Sequence, residues 1–261
     1  MERLAPPCFS TLREKLDSLN IEAGIFDLDD TILKTQQQFA RFFGEYFSIV
    51  SFETAIPLDS LWQAFDHAMP IAHRGPNSVS PAVWTDVIAL MADEIGQADT
   101  LIKHLPLLEE IYRQAPPYIE GAEPVLKALK KVGLKTALVT HANWDWTIVK
   151  LTHPKLRLLD YFDYVWIADE KRPKSAADWQ QAIAALEVLP QHCLGVGDHY
   201  ERDIGAMLSL GVNRLVCIKP AWKLHVQGDL PPDVAQVDSI AQLLDIIWDL
   251  KPQKIPNFTH L

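Results

Sequence analysis

Three carboxylates within four residues are the sharpest chemical feature of the sequence. Asp27, Asp29 and Asp30 stand at the end of the first apolar run, Ile21–Leu28. Like charges at this spacing repel one another unless they share a cation, and hard divalent cations prefer oxygen ligands. A solvated turn or a helix N-terminus would show the same residues. A calcium-binding loop would not, because Ile32 occupies the position where that loop needs glycine.

A second acidic pair follows another apolar run. Asp198 and Asp203 come after Cys193–Gly197, so these acids also stand at the end of a predicted strand. The glycines of this run suggest dinucleotide binding only weakly, because Tyr200 occupies the position of the third glycine in that pattern. No phosphate-binding loop of the G-x-x-x-x-G-K-[ST] type occurs in the sequence. The prediction of a functional site therefore depends mainly on the two groups of acidic residues.

Two further polar residues lie where predicted elements begin or end. Thr140 ends the run Lys135–Thr140, a position where a lone threonine is usually a helix cap. Lys174 precedes a predicted helix, a position where a lone lysine is usually solvated. Lys171 is an alternative to Lys174 in the same turn, and Lys174 is preferred because it directly follows Pro173. Neither Thr140 nor Lys174 by itself indicates a particular function.

The elements that must position these residues alternate between strands and helices. Five short runs, mostly of continuous apolar residues, are typical of strands buried on both faces of a parallel sheet: Ile21–Leu28, Lys135–Thr140, Asp163–Ala168, Cys193–Gly197 and Arg214–Ile218. Helical patterns lie between and after them: Ala122–Val132, Asn143–Leu151, Ser175–Leu186, Arg202–Leu210 and Ser239–Leu250. The alternation predicts an α/β fold with a doubly wound parallel sheet, which binds ligands at the carboxyl ends of its strands.

About 80 residues between the first two strands lack strand-like runs and show helical periodicity instead. Four helices are predicted there: Gln36–Tyr46, Leu58–Ala68, Ala82–Ile95 and Ile102–Arg113. Their many aromatic residues favour a packed bundle core over a ligand-binding box. The sequence thus predicts an α/β core formed by residues 1–33 and 118–261, with a helical insert of residues 34–117.

These motifs, in this order, resemble those of the haloacid dehalogenase superfamily. The first lies at Asp27–Thr31, the second at Thr140, the third at Lys174 and the fourth at Asp198–Asp203. The helical insert after the first motif resembles the cap that the family calls C1. The resemblance covers nearly the whole chain, and the joint occurrence of four motifs is far more specific than any one of them. It implies a Rossmann-like core with an inserted α-helical cap.

The resemblance also implies a mechanism and a cofactor. Asp27 is expected to be the nucleophile that forms an aspartyl-phosphate, and Asp29 the general acid and base. Mg²⁺ is expected to be held by Asp27, the main-chain carbonyl of Asp29 and Asp198, with Asp203 orienting water or Lys174 beside it. The side chains of Thr140 and Lys174 are expected to bind the transferring phosphoryl group.

An acid at position 29 distinguishes subclasses of the family. Metal-independent dehalogenases lack it, whereas phosphatases and phosphomutases have it, so the sequence favours a phosphatase acting on a small phosphorylated metabolite. A phosphomutase and a non-catalytic regulatory or scaffold protein of the same fold are the alternatives. A closing cap excludes polymers. The expected substrate contacts, each competing with an ordinary surface or helix-start role, are Arg41, Arg74, His141 and Asn143.

The amino-acid composition limits the kinds of molecule that the protein could bind. With 34 acidic and 24 basic side chains the formal charge is −10, which argues against wide contacts with nucleic acid or anionic membranes. Three scattered cysteines do not suggest a disulfide framework or a zinc site. No signal peptide or apolar run of membrane-spanning length is evident, so a cytoplasmic location is expected. The oligomeric state is not predicted.

Overall fold

Six parallel strands form the centre of the fold in a computed structural model, which describes residues 9–74, 79–222, 225–226 and 229–251. The strands are β1 (Ala23–Phe26), β2 (Lys135–Thr140), β3 (Tyr164–Ile167), β4 (Cys193–Gly197), β5 (Arg214–Ile218) and β6 (Ala235–Val237). Their order in the sheet is β3-β2-β1-β4-β5-β6. β6 is not predicted from the sequence, because a three-residue edge strand is too short to show an apolar run.

Helices cover both faces of this sheet, so the predicted doubly wound α/β fold is confirmed. The helices outside the segment between β1 and β2 are α1 (Phe9–Ser18), α7 (Ala122–Lys131), α8 (Trp144–Thr152), α9 (Ala176–Ala185), α10 (Ala206–Ser209) and α11 (Leu243–Asp249). Phe26 and Leu138 belong to the hydrophobic cluster that includes α1, α7 and α11. Ile25 and Val139 belong to the cluster on the other face, with α9 and α10. Burial on both faces explains why the strands read as nearly continuous apolar runs.

The segment between β1 and β2 forms its own helical layer. Its helices are α2 (Thr35–Thr54), α3 (Leu58–Ala72), α4 (Val83–Ile95), α5 (Ala98–Lys103) and α6 (Pro106–Glu109). They share a third hydrophobic cluster, rich in aromatic rings, of which Phe43, Phe47 and Trp84 are buried members. The single helix predicted at Ile102–Arg113 is wrong: Pro106 cannot donate the backbone hydrogen bond that helix continuation needs, and the stretch breaks into shorter pieces.

The chain connects the sheet to the helical layer at two places, near Leu33 and near Tyr118. These two segments run side by side. Leu33 and Tyr118 form an antiparallel bridge, and the backbone N–H of Lys34 donates to the carbonyl of Pro117 at 2.9 Å. The two covalent connections between the helical layer and the sheet therefore lie next to each other. Within the described part of the chain, no helix has the length and apolar character needed to cross a membrane.

Candidate active site

The order of the strands brings the two acidic motifs together. β1 and β4 are neighbours, with Phe26 paired to Val196, so the residues that follow them leave the same edge of the sheet. The backbone N–H of Asp27 donates to the carbonyl of Val196 at 2.9 Å, which continues the pairing to the first acidic residue. Thr140 ends β2 on the other side of β1. Three sequence motifs thus meet at one carboxyl edge.

Lys174 brings the third motif into this group. Its ammonium lies 2.5 Å from Asp27 Oδ1 and 2.7 Å from Asp203 Oδ1, and all three side chains are buried. The capping box of Ser175 and Asp178 starts α9 directly after Lys174 and fixes its backbone. The alternative, Lys171, is exposed. The structure therefore places Lys174, and not Lys171, at the acidic cluster.

The electrostatics of this cluster are those of a site that needs a cation. Burial, followed by repulsion from Asp203 and Asp198, raises the pKa of Asp27 although Lys174 opposes the shift. Burial also raises the pKa of Asp198. Burial acts to raise the pKa of Asp203 as well, but the ammonium of Lys174 and the backbone N–H of His199 outweigh it, so that pKa is lowered. A metal ion would favour the ionised forms of Asp27 and Asp198.

The side chains present fit a hard divalent cation. Asp27, Asp198 and Asp203 are buried, and one carboxylate oxygen of each lies within 4.8 Å of the others. Oxygen ligands of this kind suit Mg²⁺. Gly197 makes the arrangement possible, because a Cβ at that position would lie 2.6 Å from the Asp203 side chain. Thr140 has a buried hydroxyl without a hydrogen-bond partner among the described residues, as a ligand-binding group would.

His225 is a neighbour of this cluster that sequence analysis missed. Its Nδ1 lies 2.6 Å from Asp198 Oδ2, and its ring stacks on that of His199 with centroids 4.8 Å apart. Burial acts to lower the pKa of His225, but the contact with Asp198 outweighs it and the pKa is raised. His225 follows β5 in a loop without a motif, so the sequence gives no signal for this contact.

Asp29 is bound by a second lysine, which sequence analysis also missed. The Lys150 ammonium donates to both Asp29 oxygens, at 2.6 and 2.8 Å, and the Thr35 hydroxyl donates to Oδ1 at 2.5 Å. Lys150 lies on α8, is fully buried, and has its ammonium 3.4 Å from the ring centroid of Trp146 one turn earlier. Burial lowers the pKa of Lys150 although Asp29 opposes the shift. In the sequence, a lysine on a helix is typical of a solvated surface.

Asp30 is turned away from the metal cluster and towards the helical layer. Its carboxylate accepts hydrogen bonds from the backbone N–H of Gln36 and from Trp222 Nε1, both at 2.8 Å. Its backbone is in the left-handed region, with φ of 60°. Burial raises the pKa of Asp30 to about 7, against the opposing effect of the Gln36 hydrogen bond. Asp30 therefore links the first motif to the start of α2.

A cavity of about 310 Å³ opens beside Asp29 and Asp30, between the sheet edge and the helical layer. Of the four residues expected to contact substrate, Arg74 and His141 line it. Burial lowers the pKa of His141 to about 4, so its ring is neutral at pH 7. Arg41 is instead exposed and donates to the Gln114 side chain.

Asn143, the fourth expected contact, has a structural partner on each side. Its side-chain oxygen accepts from the backbone N–H of Trp146 at 3.1 Å and so caps α8. Its amide group donates to Glu170 at 3.3 Å. The described cavity wall does not include it. Asn143 thus positions the helix that carries Lys150.

The fold and the site together define an α/β protein with a cluster of buried carboxylates at the carboxyl edge of a parallel sheet. The chain belongs to the haloacid dehalogenase-like hydrolase family, whose model matches residues 21–211. Membership explains why the four motifs meet in space although they are spread over most of the sequence.

Known proteins of this family resemble the chain over most of its length. Haloacid dehalogenase-like hydrolase domain-containing protein 3 is 26% identical in Mus musculus, over 90% of both chains, and 24% identical in Bos taurus, over 77% of this chain and 74% of the relative. A haloacid dehalogenase-like family hydrolase from Xanthomonas campestris has a TM-score of 0.65 at 13% identity, covering 88% of this chain and 91% of the other. A HAD phosphatase from Thermococcus onnurineus has a TM-score of 0.58 at 22% identity, covering 87% and 98%.

Proposed function

We propose that the protein is a Mg²⁺-dependent phosphatase that hydrolyses a small phosphorylated metabolite through an aspartyl-phosphate on Asp27. The observation that carries the proposal is the buried Asp27 carboxylate, bonded to Lys174 and within metal-ligand reach of Asp198 and Asp203. The similarity to a protein described as a HAD phosphatase supports it. The acid at position 29 favours a phosphatase over a metal-independent dehalogenase.

Asp27 acts as the nucleophile. One of its oxygens attacks phosphorus while the bond to the leaving alkoxide breaks, and water then hydrolyses the acyl phosphate. Both partners are anionic, so charge neutralisation and alignment dominate the barrier. Lys174 and the unpartnered hydroxyl of Thr140 are available for the phosphoryl oxygens. Mg²⁺ held by Asp27, Asp198 and the Asp29 main-chain carbonyl, with Asp203 beside them, would supply further neutralisation.

Asp29 transfers the protons. It protonates the leaving alkoxide in the first step and removes a proton from the attacking water in the second. Asp29 Oδ1 accepts hydrogen bonds from both Thr35 and Lys150, whereas Oδ2 accepts only from Lys150 among the contacts described above. Oδ2 therefore retains a lone pair that can carry the proton given to the leaving oxygen and later taken back from water. Lys150 fixes the direction in which that lone pair points.

The helical layer acts as a cap over this site. In this proposal residues 34–117 form the cap, and residues 1–33 with 118–261 form the core. The cap and the core are joined at the antiparallel bridge between Leu33 and Tyr118. Arg74 and His141, which line the cavity, contact the non-phosphate part of the substrate. The cytoplasmic location and the absence of nucleic acid and membrane partners stay predictions from the sequence.

The test is hydrolysis of p-nitrophenyl phosphate and of a panel of phosphorylated metabolites by the purified protein. We expect inorganic phosphate to be released with Mg²⁺, release to stop with excess EDTA, and Asp29→Ala to abolish turnover. A folded, Mg²⁺-loaded protein that turns over no ester would support the scaffold alternative. An isomeric phosphate ester formed without inorganic phosphate would identify a phosphomutase instead.

A further inference from the structure

The cavity beside Asp29 must receive the alcohol part of the substrate. Its wall includes the Asp29 side chain, which protonates the leaving oxygen in the proposed mechanism, but not Asp27, which receives the phosphoryl group. The alcohol therefore extends from Asp29 into this cavity, and the cavity wall selects the substrate. Ligand pockets commonly run from roughly 300 to 1,000 Å³. At about 310 Å³ the cavity accommodates one small ring system.

Five large aromatic side chains line that wall: Phe39, Trp84, Tyr112, Trp146 and Trp222. Phe39 stands at their centre, with its ring centroid between 5.4 and 6.4 Å from those of the other four. These edge-to-face and tilted contacts are the geometry in which aromatic rings attract one another. A further ring entering the cavity would extend the same pattern.

Several polar atoms of this wall are engaged within the protein, whereas Trp84 Nε1 and His141 Nε2 are buried without a hydrogen-bond partner among the described residues. Trp146 Nε1 donates to the carbonyl of Gln114 at 2.8 Å, and Trp222 Nε1 donates to Asp30. The Thr35 hydroxyl donates to Asp29. In the part of the cavity wall that the structure describes, there is no serine, asparagine, glutamine, glutamate or lysine. The hydrogen-bonding groups that remain for a substrate are therefore mainly the histidine and arginine side chains of the wall.

Arg202 adds a planar cation to the same wall. It belongs to the π-helical turn Tyr200–Gly205, which overlaps the fourth motif, and its side chain is partly buried. Guanidinium planes stack on aromatic faces and attract the electron-rich side of a ring. A saturated group of the same size would lack this attraction.

We propose that the substrate is the phosphate monoester of a small alcohol that carries an aromatic ring, bound with its ring among Phe39, Tyr112 and Trp146. This inference rests on the proposed phosphatase activity and specifies the substrate class of the same site. It separates the protein from phosphatases of sugar phosphates, whose substrates present several hydroxyl groups.

Three alkyl phosphates with closely similar leaving oxygens test the proposal: 2-phenylethyl phosphate, 2-cyclohexylethyl phosphate and glucose 6-phosphate. We expect kcat/KM for the phenyl ester to exceed that for the cyclohexyl ester about fivefold, as ring–ring attraction predicts. It should exceed that for glucose 6-phosphate at least about fivefold, because the sugar ring likewise lacks the ring–ring attraction. Equal or greater turnover of the sugar ester overturns the proposal.

Two matched variants on α2 test whether the preference for the phenyl ester depends on the ring of Phe39. Phe39→Leu should reduce the phenyl-to-cyclohexyl ratio to about one, because the central ring is lost. Phe52→Leu makes the same change at a side chain that is 90% exposed, and should leave the ratio as in the wild type. A ratio does not depend on how much of the enzyme is folded. An unchanged ratio in Phe39→Leu overturns the placement of the ring.

A binding experiment separates this proposal from the proposed function. The non-hydrolysable 2-phenylethylphosphonate, added with Mg²⁺, should change the tryptophan fluorescence at lower concentration than 2-cyclohexylethylphosphonate. If the wild type binds the phenyl compound preferentially but hydrolyses none of the three esters, the phosphatase activity fails and the aromatic site stands. If it hydrolyses the esters without preference, the activity stands and the aromatic site fails.

Discussion

The two sides of the cavity are built on different physical principles. At the sheet edge, buried charges are paired: Lys174 with Asp27 and Asp203, and Lys150 with Asp29. On the side of the helical layer, aromatic rings such as Phe39 pack against one another with few charges. Removing one member of a buried ion pair leaves its partner uncompensated, whereas removing one ring from a cluster loses only contacts. The sheet edge should therefore tolerate change far less than the aromatic wall.

The variant Asp27→Asn is the most severe test of this difference between the two sides. It removes the charge of the side chain and leaves its shape nearly unchanged. Loss of the nucleophile should lower kcat for p-nitrophenyl phosphate by at least about 10⁴-fold. The exposed Asp17, on α1, provides the matched control, and Asp17→Asn should leave kcat unchanged. Substantial turnover by a folded Asp27→Asn protein would remove the sheet edge from the chemistry.

Lys150→Met tests whether the second lysine serves the proton transfer. It removes the charge while keeping an apolar chain beside Trp146, and Asp29 then loses two hydrogen bonds. We expect kcat/KM for an alkyl phosphate to fall about a hundredfold, because its leaving oxygen needs a proton. For p-nitrophenyl phosphate, whose leaving group is stable as an anion, the loss should be less than about tenfold.

Its control is Lys155→Met, at an exposed lysine in the turn that follows α8. This variant should behave as the wild type towards both esters. A loss in Lys150→Met that is equal for the two leaving groups would mean that Lys150 stabilises the fold and does not position Asp29.

The same contrast explains which parts of the site were predictable from sequence. Asp27, Thr140 and Asp198 stand at the ends of apolar runs, and parallel strands bring their carboxyl ends to one edge, so strand recognition places all three at that edge. Lys174 required the family resemblance, since Pro173 and a following helix do not by themselves direct a lysine to Asp27. The doubly wound sheet followed from the alternation of elements.

Lys150 and His225 were not predictable in this way. Each reaches the acidic cluster from an element whose sequence carries no motif, and each contact depends on how that element packs on the sheet. Trp222, which bonds to Asp30, belongs to the same group. Helix periodicity likewise gave the helices of the insert but not the cavity beside them, because a cavity is a property of packing and not of any one helix.

A smaller effect on kcat is expected for a buried charge that holds the backbone next to the site and does not itself contact the acidic cluster. Asp178 on α9 accepts from both terminal nitrogens of Arg172 at 2.6 Å and completes the capping box with Ser175. Asp178→Asn should lower the free energy of unfolding by about 2 kcal/mol, the sum expected for a lost cap and charged hydrogen bonds. Since Lys174 directly precedes this cap, kcat should fall severalfold and not by orders of magnitude.

The stability that Asp178 contributes should depend on pH in a direction that its pKa determines. Burial acts to raise the pKa of Asp178, but Arg172, Trp166 and the Ser175 backbone outweigh it and hold the pKa below that of the unfolded chain. Folding therefore favours the ionised form, so its contribution is complete above about pH 4 and is lost as the pH falls below that value. Urea unfolding at pH 7 and pH 3 should show a large difference between wild type and Asp178→Asn at pH 7 and a smaller one at pH 3. A difference that stays constant with pH would mean that the side chain acts through shape alone.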